Sequence, residues 1–406
     1  MRGLRRGQWV IEALCVALMC AAGCGDDGDE APDASNAATG GATGATTGGT
    51  TATTGGATGG TTATTGGTAA TTGGTTAPDD AIPYDTLSEY GFFEGPLHEL
   101  RPTAGVVPYT VAAPLWADHA EKGRFLKLPP GAQATFAENG PWEWPLGTIF
   151  IKTFFVSLDR RDPGGAAQII ETRLLRLTEA GWESFIYVWN VEQTEAERTR
   201  LGERVELMVT DADGQEVEQL YLVPNTEECK SCHEIDDVLG VLGPTTPQLN
   251  RVIEVDGREV NQLAWWREQG LLANPPDDPA AQLALPRPFG DEGTLEARAR
   301  AYLHGNCGHC HREGGGGGRS GLRLVWWEDR DSRVGICKSP VAAGAGSGGR
   351  VADIVPGHPE ESILIYRMSS ADPEIKMPEL PNLLPDEQGV QLISDWIAAM
   401  EPEGCP

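Results

Sequence analysis

Two Cys-x-x-Cys-His pentads constrain this chain more than any other feature of its sequence. They occupy residues 229–233 (Cys-Lys-Ser-Cys-His) and 307–311 (Cys-Gly-His-Cys-His). This spacing is the attachment signature of c-type haem, because two thiols three positions apart can each form a thioether with one porphyrin. The adjacent histidine then supplies the proximal nitrogen of the iron. The sequence predicts two covalently bound haem c groups, with attachment and ligand residues Cys229, Cys232, His233, Cys307, Cys310 and His311.

The competing interpretation is a zinc site that takes its thiolates from two Cys-x-x-Cys knuckles. Residues 233–306 separate the knuckles, which is far more than a compact zinc ribbon allows. Zinc also gives no reason for a histidine directly after the second cysteine in both motifs. Haem is therefore the leading prediction, and a zinc-stapled binding module remains as another class of function.

Residues 1–24 have the features of an export signal of the lipoprotein type. A start with three arginines is followed by an apolar run over 9–22. The run ends in Ala-Ala-Gly-Cys, which resembles a bacterial lipoprotein box and implies that Cys24 becomes a lipid-modified first residue. An ordinary signal peptide cut near Gly23 is the alternative. Both interpretations export the protein, and the first anchors it in the cell envelope, in the periplasm or at the outer membrane.

Residues 25–81 predict a disordered linker. The stretch 39–77 consists wholly of Thr, Gly and Ala. A segment without large apolar side chains cannot bury enough surface to offset the loss of chain entropy on folding. We expect this linker to tether the folded part of the chain to its lipid anchor.

The folded part divides into three predicted segments. Residues 82–223 predict a β-rich domain, because β-branched and aromatic runs alternate with turn signals such as Asp-Ala-Asp-Gly at 211–214. Residues 224–288 carry the first pentad and predict a first haem lobe with a helix near 260–272. Residues 289–406 predict a cytochrome c-like domain. The expected fold class is α+β multidomain, with two mainly α-helical cytochrome c-like haem lobes after the β-rich domain.

Two helices frame the predicted third segment. Thr294 can cap a helix that ends at His304 and delivers the second pentad, and Asp386 opens a last helix that reaches Met400. The first and last helices of c-type cytochrome folds cross beside the haem. By this resemblance, Tyr302 and Trp396 would be the aromatic pair at the crossing.

Met377 is the best candidate for the distal ligand of the second haem. It belongs to a Lys-Met-Pro sequence between the second pentad and the last helix. A His/Met iron has a raised reduction potential, because the thioether favours ferrous iron. A core methionine that fills a gap is the alternative. The first haem has no obvious distal ligand, and its candidates stay open: Met208, His98, His119, His304, His358, or a five-coordinate iron.

The count of cysteines leaves one pair over. Of nine cysteines, two leave with the signal, Cys24 takes the lipid and four take the haems. The remaining two, Cys337 and Cys405, are expected to form a disulfide in an oxidising compartment, with two free thiols as the alternative.

The net charge of the chain indicates which classes of partner to expect. The chain has 59 acidic and 31 basic side chains and a formal net charge of −28. This balance argues against nucleic-acid binding, which needs clustered Lys and Arg. An acidic surface can steer basic proteins, so redox partner proteins and a membrane anchor are the expected contacts.

Several blocks of the sequence carry a family resemblance. With the pentads, they resemble a family of bacterial di-haem c-type cytochromes with a β-rich amino-terminal domain, over about residues 84–400. The resemblance implies covalent haem and electron transfer, and it supplies no substrate. The predicted function is therefore an electron carrier, and a haem enzyme such as a peroxidase that uses the first haem is the alternative. The blocks are 88–93 (Ser-Glu-Tyr-Gly-Phe-Phe), 113–122 (Ala-Pro-Leu-Trp-Ala-Asp-His-Ala-Glu-Lys), 185–190 (Phe-Ile-Tyr-Val-Trp-Asn), 261–263 (Asn-Gln-Leu) and 335–344 (Gly-Ile-Cys-Lys-Ser-Pro-Val-Ala-Ala-Gly).

Overall fold

The computed structural model describes residues 82–341, 343–379, 382–402 and 405. The predicted signal peptide, the lipidation site Cys24 and the predicted linker lie outside the described residues. Ile82–Pro406 belong to one compact unit. Within the described ranges, no helix combines the length and the apolar character that a membrane-spanning segment needs.

The described residues form sixteen β-strands and seven α-helices, joined by loops and short 3-10 turns. The strands are β1 (Phe93–Glu94), β2 (Arg101–Pro102), β3 (Val106–Pro108), β4 (Ala120–Lys127), β5 (Ala134–Thr135), β6 (Ile149–Ser157), β7 (Ala167–Thr178), β8 (Gly181–Trp189), β9 (Ala196–Thr199), β10 (Glu203–Thr210), β11 (Glu216–Val223), β12 (Glu234–Ile235), β13 (Val238–Leu239), β14 (Val252–Val255), β15 (Arg258–Asn261) and β16 (Leu272–Ala273). The helices are α1 (Thr226–His233), α2 (Thr246–Leu249), α3 (Gln262–Glu268), α4 (Leu295–Asn306), α5 (Asp331–Val334), α6 (Ile363–Met368) and α7 (Glu387–Ala398).

A six-stranded antiparallel sheet is the main scaffold. Its strand order is β3-β4-β6-β7-β8-β9, so most neighbours in the sheet are also close in sequence. The tight turn between β7 and β8 uses Gly181 at φ 110°, a conformation that favours glycine. The β10–β11 hairpin forms around the predicted turn at 211–214. The β-rich character predicted for residues 82–223 and the hairpin turn predicted at 211–214 are therefore confirmed.

The two faces of this sheet have different neighbours, because side chains alternate along each strand. On β6, Ile149, Ile151 and Phe155 pack into a core with the amino-terminal segment 87–100. On the opposite face, Phe150 belongs to an aromatic core at one end of the strand. Phe154 belongs to a separate core at the other end. The space between these two cores on the second face becomes the candidate site.

The prediction of two mainly α-helical haem lobes is wrong. Residues 224–288 contain only three α-helices, of four to eight residues, together with the hairpins β12–β13 and β14–β15. In addition, β16 pairs with β5 of the β-rich segment. The physical reason is that this segment does not bury its apolar residues by itself. Leu263 and Trp266 are fully buried in the aromatic core of the sheet, so no separate helical core is needed.

The third segment has the two predicted long helices, but the rest of it is mostly loops and short turns. Helices α4 and α7 pack together, with Tyr302 and Trp396 in one buried core. The Tyr302 hydroxyl donates to Asp386, the N-cap of α7, at 2.9 Å. A Cβ at Gly389 would lie 2.1 Å from that hydroxyl, so glycine permits the close approach of the helices. The helix pair is therefore present without a mainly helical lobe around it.

Residues 113–122 connect the β-rich segment to the third segment through hydrogen bonds. The buried carboxylate of Asp118 accepts hydrogen bonds from Leu383 N (2.8 Å) and Leu384 N (2.9 Å). The Trp116 indole donates to Leu384 O (3.0 Å), and Trp116 N donates to Asn306 Oδ1 (2.6 Å). Hydrogen bonds to a charged, buried acceptor are among the stronger ones in proteins. This network helps to explain why residues 82–406 belong to one compact unit.

Cys337 and Cys405 form a disulfide, with their Cα atoms 4.9 Å apart. These are the two cysteines that the count left over. The bond closes a loop of 68 residues and ties the carboxyl end of the chain to the segment before α6.

We expect the double variant Cys337→Ser, Cys405→Ser to lose about 4 kcal/mol of unfolding free energy. The loop-entropy relation gives this magnitude for a loop of this length. Urea unfolding of the oxidised protein measures the loss. A reductant provides the matched control, because it opens the disulfide without a substitution. An unchanged urea midpoint in the double variant would contradict the expectation.

Candidate functional site

The first pentad lies on helix α1, directly after strand β11. A capping box fixes the start of this helix: Glu228 N donates to Asn225 Oδ1 (2.9 Å), and Asn225 N donates to Glu228 Oε2 (2.8 Å). Cys229, Cys232 and His233 stand at positions i, i+3 and i+4, which lie on one side of an α-helix. The capped helix therefore presents both thiols and the imidazole in one direction.

These three side chains line a cavity of about 560 Å³ above the second face of the six-stranded sheet. Its volume is within the range of binding sites for cofactors and drug-sized molecules. Aromatic residues form much of its wall. They are Tyr109, Trp142, Trp144, Phe150, Trp182, Phe185, Trp326 and Trp327.

His233 is held in the tautomer that a metal ligand needs. Its Nδ1 lies 2.9 Å from the carbonyl oxygen of Gly240. A carbonyl can only accept, so Nδ1 carries the proton and Nε2 keeps its lone pair. Burial lowers the pKa of His233 to about 4, which keeps the ring neutral at physiological pH. Metal-binding histidines have this kind of partner on the other ring nitrogen.

The second pentad follows helix α4, where the chain turns sharply. Cys307 is the C-cap of α4, and His311 N donates back to Cys307 O at 2.8 Å. A Cβ at Gly308 would lie 2.9 Å from the carbonyl oxygens of His304 and Leu324, so only glycine fits without a shift. Cys307 packs against the core between α4 and α7, and burial raises the pKa of its thiol to about 12.

His311 has the same arrangement as His233 through a different partner. Its Nδ1 lies 3.1 Å from Ser320 Oγ, and Ser320 uses its single hydroxyl hydrogen to donate to Gly317 O at 2.7 Å. The imidazole must therefore donate from Nδ1, which leaves the Nε2 lone pair free. Burial lowers the pKa of His311 to about 4. A Cβ at Gly317 would lie 3.0 Å from this ring, so the glycine-rich loop packs directly against it.

The fold brings the two pentads into contact. Cys232 Sγ, Cys310 Sγ and a ring nitrogen of His309 all lie within 4.8 Å of one another. Cys310 Sγ also donates to Ser231 O at 3.5 Å. The close approach of the two thiols lowers the pKa of Cys232 and raises that of Cys310. Residues from distant parts of the sequence thus form one site.

Met377 lies in the loop between α6 and α7. Its backbone N–H donates to Arg367 O at 3.0 Å, and its side chain is partly buried. The Arg367 guanidinium is close enough to His311 to contribute to the lowering of its pKa, after burial and His309. The backbone of Met377 is therefore hydrogen-bonded to a residue whose side chain affects the pKa of His311.

Among the histidines outside the pentads, all of which the structure describes, His304 alone lines the cavity of the first pentad. Its Nδ1 is buried and has no hydrogen-bond partner in the described part of the chain. The other candidate ligands are engaged or remote: His119 packs on Trp116, His358 pairs with Glu360 at 3.6 Å, His98 lines a separate pocket, and the side chain of Met208 is exposed.

The hydrogen-bond partners that orient the two pentad histidines, His233 and His311, were missed by the sequence analysis. Gly240 acts through its backbone carbonyl, which every residue type has, so the sequence does not reveal this role. Ser320 follows the glycine-rich loop, and nothing in its spacing from His311 distinguishes it from other serines. Three basic residues on the wall of the cavity, Arg124, Lys152 and Arg173, were also missed.

Comparison with models of protein families, with curated proteins and with solved structures found no match for this chain. The interpretation of the site therefore depends on its residues. The donor set fits covalent haem: two Cys pairs, each followed by a neutral, oriented histidine, and a cavity of suitable size at the first pair.

Proposed function

We propose that this chain is an exported di-haem c-type cytochrome that transfers electrons. Cys229 and Cys232 would hold one porphyrin, and Cys307 and Cys310 the other. His233 and His311 would be the proximal ligands. Covalently held haem supplies one-electron oxidation and reduction of its iron.

One observation carries the proposal. Both pentad histidines have Nδ1 fixed by a hydrogen bond, to Gly240 O for His233 and to Ser320 Oγ for His311. Each bond selects the tautomer with a free Nε2, and burial keeps each ring neutral. A histidine that served only for packing would not need the same orientation in two unrelated local structures.

The chain also brings its two attachment points together. The sulfur atoms of Cys232 and Cys310 lie within 4.8 Å of each other. A thioether sulfur is bonded to the edge of its porphyrin, so these two edges would be neighbours. This supports electron transfer within the molecule, from one site to the other.

The distal positions differ between the two sites. We propose Met377 for the second haem and His304 for the first, because His304 lines the cavity and has a buried nitrogen without a partner. Histidine on both sides of the first iron and His/Met at the second would give the second site the higher reduction potential.

Export and partners belong to the same proposal. A lipid on Cys24 would anchor the protein in the cell envelope. With a net charge of −28, the protein would attract basic redox proteins, and this attraction weakens as salt rises.

A binding protein stabilised by a structural metal ion is the second candidate function, because one observation favours it. Cys232, His309 and Cys310 form a group whose ligand atoms are close enough to share one ion. Structural zinc sites almost always have four protein ligands, and the described residues supply three here. Zinc also leaves the oriented histidines His233 and His311 without a role. Haem explains all six pentad residues.

The deciding experiment expresses the chain in a host that matures c-type cytochromes and measures its mass and optical spectrum. We expect a mass increase of two haems, a Soret band, and no stoichiometric zinc. A colourless protein with the mass of the processed polypeptide would refute the proposal. Bound zinc in that colourless protein would favour the second candidate.

A further inference from the structure

A row of basic residues crosses the wall of the cavity beside the first pentad. Arg124 of β4 pairs directly with Lys152 of β6, and Lys152 pairs directly with Arg173 of β7. All three side chains line the cavity. Like charges directly opposite each other on neighbouring strands destabilise a sheet, so this row needs an explanation.

Only one member of the row is neutralised within the described part of the chain. Arg173 forms a bidentate pair with the buried carboxylate of Glu171, at 2.8 Å and 2.5 Å. Neither Arg124 nor Lys152 has a carboxylate within 4.0 Å among the described residues. The Lys152 ammonium stands 4.8 Å above the ring of Phe154, and Arg124 donates to the backbone oxygen of Lys122 at 3.2 Å.

The cavity is basic although the chain as a whole is strongly acidic. A fourth basic side chain, Arg312, also lines it. The acidic residue on its wall is Glu228, whose Oε2 already accepts a hydrogen bond from Asn225 N at the start of α1. Burial and the neighbouring arginines lower the pKa of Lys152 well below its usual value. Such a cluster is costly without an anion and becomes favourable when an anion is bound.

We propose that Arg124, Lys152 and Arg173 form a carboxylate-binding site. In one form, which rests on the proposed function, its ligand is the pair of propionate carboxylates of the porphyrin on Cys229 and Cys232. In the other form, the ligand is a free carboxylate that enters the cavity. The chemistry is the same in both forms: charge-assisted hydrogen bonds to carboxylate oxygens in a partly desolvated cavity with aromatic walls.

The test replaces Lys152 by Gln in the full chain, with Lys152→Arg as the conservative variant. Lys127→Gln is the matched control. Lys127 lies on the same sheet, and its ammonium also stands over an aromatic ring, that of Phe92 at 5.2 Å, but it does not line the cavity. The protein is purified from the host that matures c-type cytochromes.

The first measurement is the reduction potential of each haem. If the ligand is a propionate pair, Lys152→Gln lowers the potential of the first haem, because a cation that offset the propionates is lost. Lys152→Arg and Lys127→Gln leave this potential unchanged. Succinate then has no effect, since the site is already filled.

The second measurement is a titration with succinate, followed by tryptophan fluorescence. If the ligand is a free carboxylate, the wild type and Lys152→Arg bind succinate, and Lys152→Gln binds it at least tenfold more weakly. If haem is present, identical potentials and identical succinate binding in all variants would overturn the inference. If haem is absent, identical succinate binding in all variants would overturn it. If the protein from this host carries no haem, the proposed function is refuted. Succinate binding by that haem-free protein would still support the carboxylate site in its second form.

Discussion

Replacing His304 by Ala should turn the first haem from low-spin to high-spin and open it to cyanide, while the second haem stays low-spin. The reason is that His304 is the histidine outside the pentads that lines the cavity of Cys229, Cys232 and His233. Losing it would leave the first iron without its sixth ligand. We expect full conversion to the high-spin state at the first haem and no change at the second. Optical and electron paramagnetic resonance spectra of the ferric protein measure it.

His358→Ala is the matched control. This histidine is exposed, beside Glu360, and lies away from the cavity lining, so its loss should leave both spectra unchanged. The wild-type spectrum gives a second check. A high-spin, cyanide-binding haem in the unaltered protein would contradict the role of His304. It would also favour the alternative function, a peroxidase that uses an open position on the first iron.

Replacing Met377 by Leu should lower the reduction potential of the second haem and leave that of the first unchanged. Axial ligands set haem potentials over a range of roughly 0.8 V, and a lost thioether should lower the potential by a tenth of a volt or more. Met377 lies in the loop between α6 and α7, where its backbone N–H donates to Arg367 O at 3.0 Å. Spectroelectrochemical titration of the two haems measures the shift.

Met368→Leu is the control for the loss of a methionine side chain. Met368 is buried in the core between α4 and α7. A volume-conserving change there should cost less than about 1.5 kcal/mol of stability and leave both potentials unchanged. If Met377→Leu behaves like Met368→Leu, Met377 is a packing residue and the second haem has another ligand.

Much of the fold could be predicted from local patterns. The run that became β6 is β-branched and aromatic, and the turn at 211–214 predicted the β10–β11 hairpin. Thr294 and Asp386 each accept the expected capping hydrogen bond, from Ala297 N and Gly389 N. These predictions succeed because strand alternation, turn chemistry and helix capping depend on neighbours within a few residues.

The prediction of separate helical lobes was wrong for a reason of a different kind. It assumed that each pentad needs its own helical core. The apolar residues of the first pentad's segment, such as Leu263 and Trp266, are instead buried against the six-stranded sheet. Nothing in the periodicity of residues 224–288 indicates which distant surface will cover them.

The sequence by itself determined the composition of the pentads, because Cys-x-x-Cys-His places two thiols and an imidazole on one short stretch of chain. It also determined the leftover cysteine pair and most of the strands. Only the tertiary structure decided that Cys232 and Cys310 meet and that Gly240 O and Ser320 Oγ orient the histidines. It also decided that the basic row of Arg124, Lys152 and Arg173 forms one wall of the first pentad's cavity. Most of these contacts join residues far apart in sequence or use backbone atoms, and the contact between His311 and Ser320 depends on the path of the glycine-rich loop. None of them leaves a local pattern in the sequence.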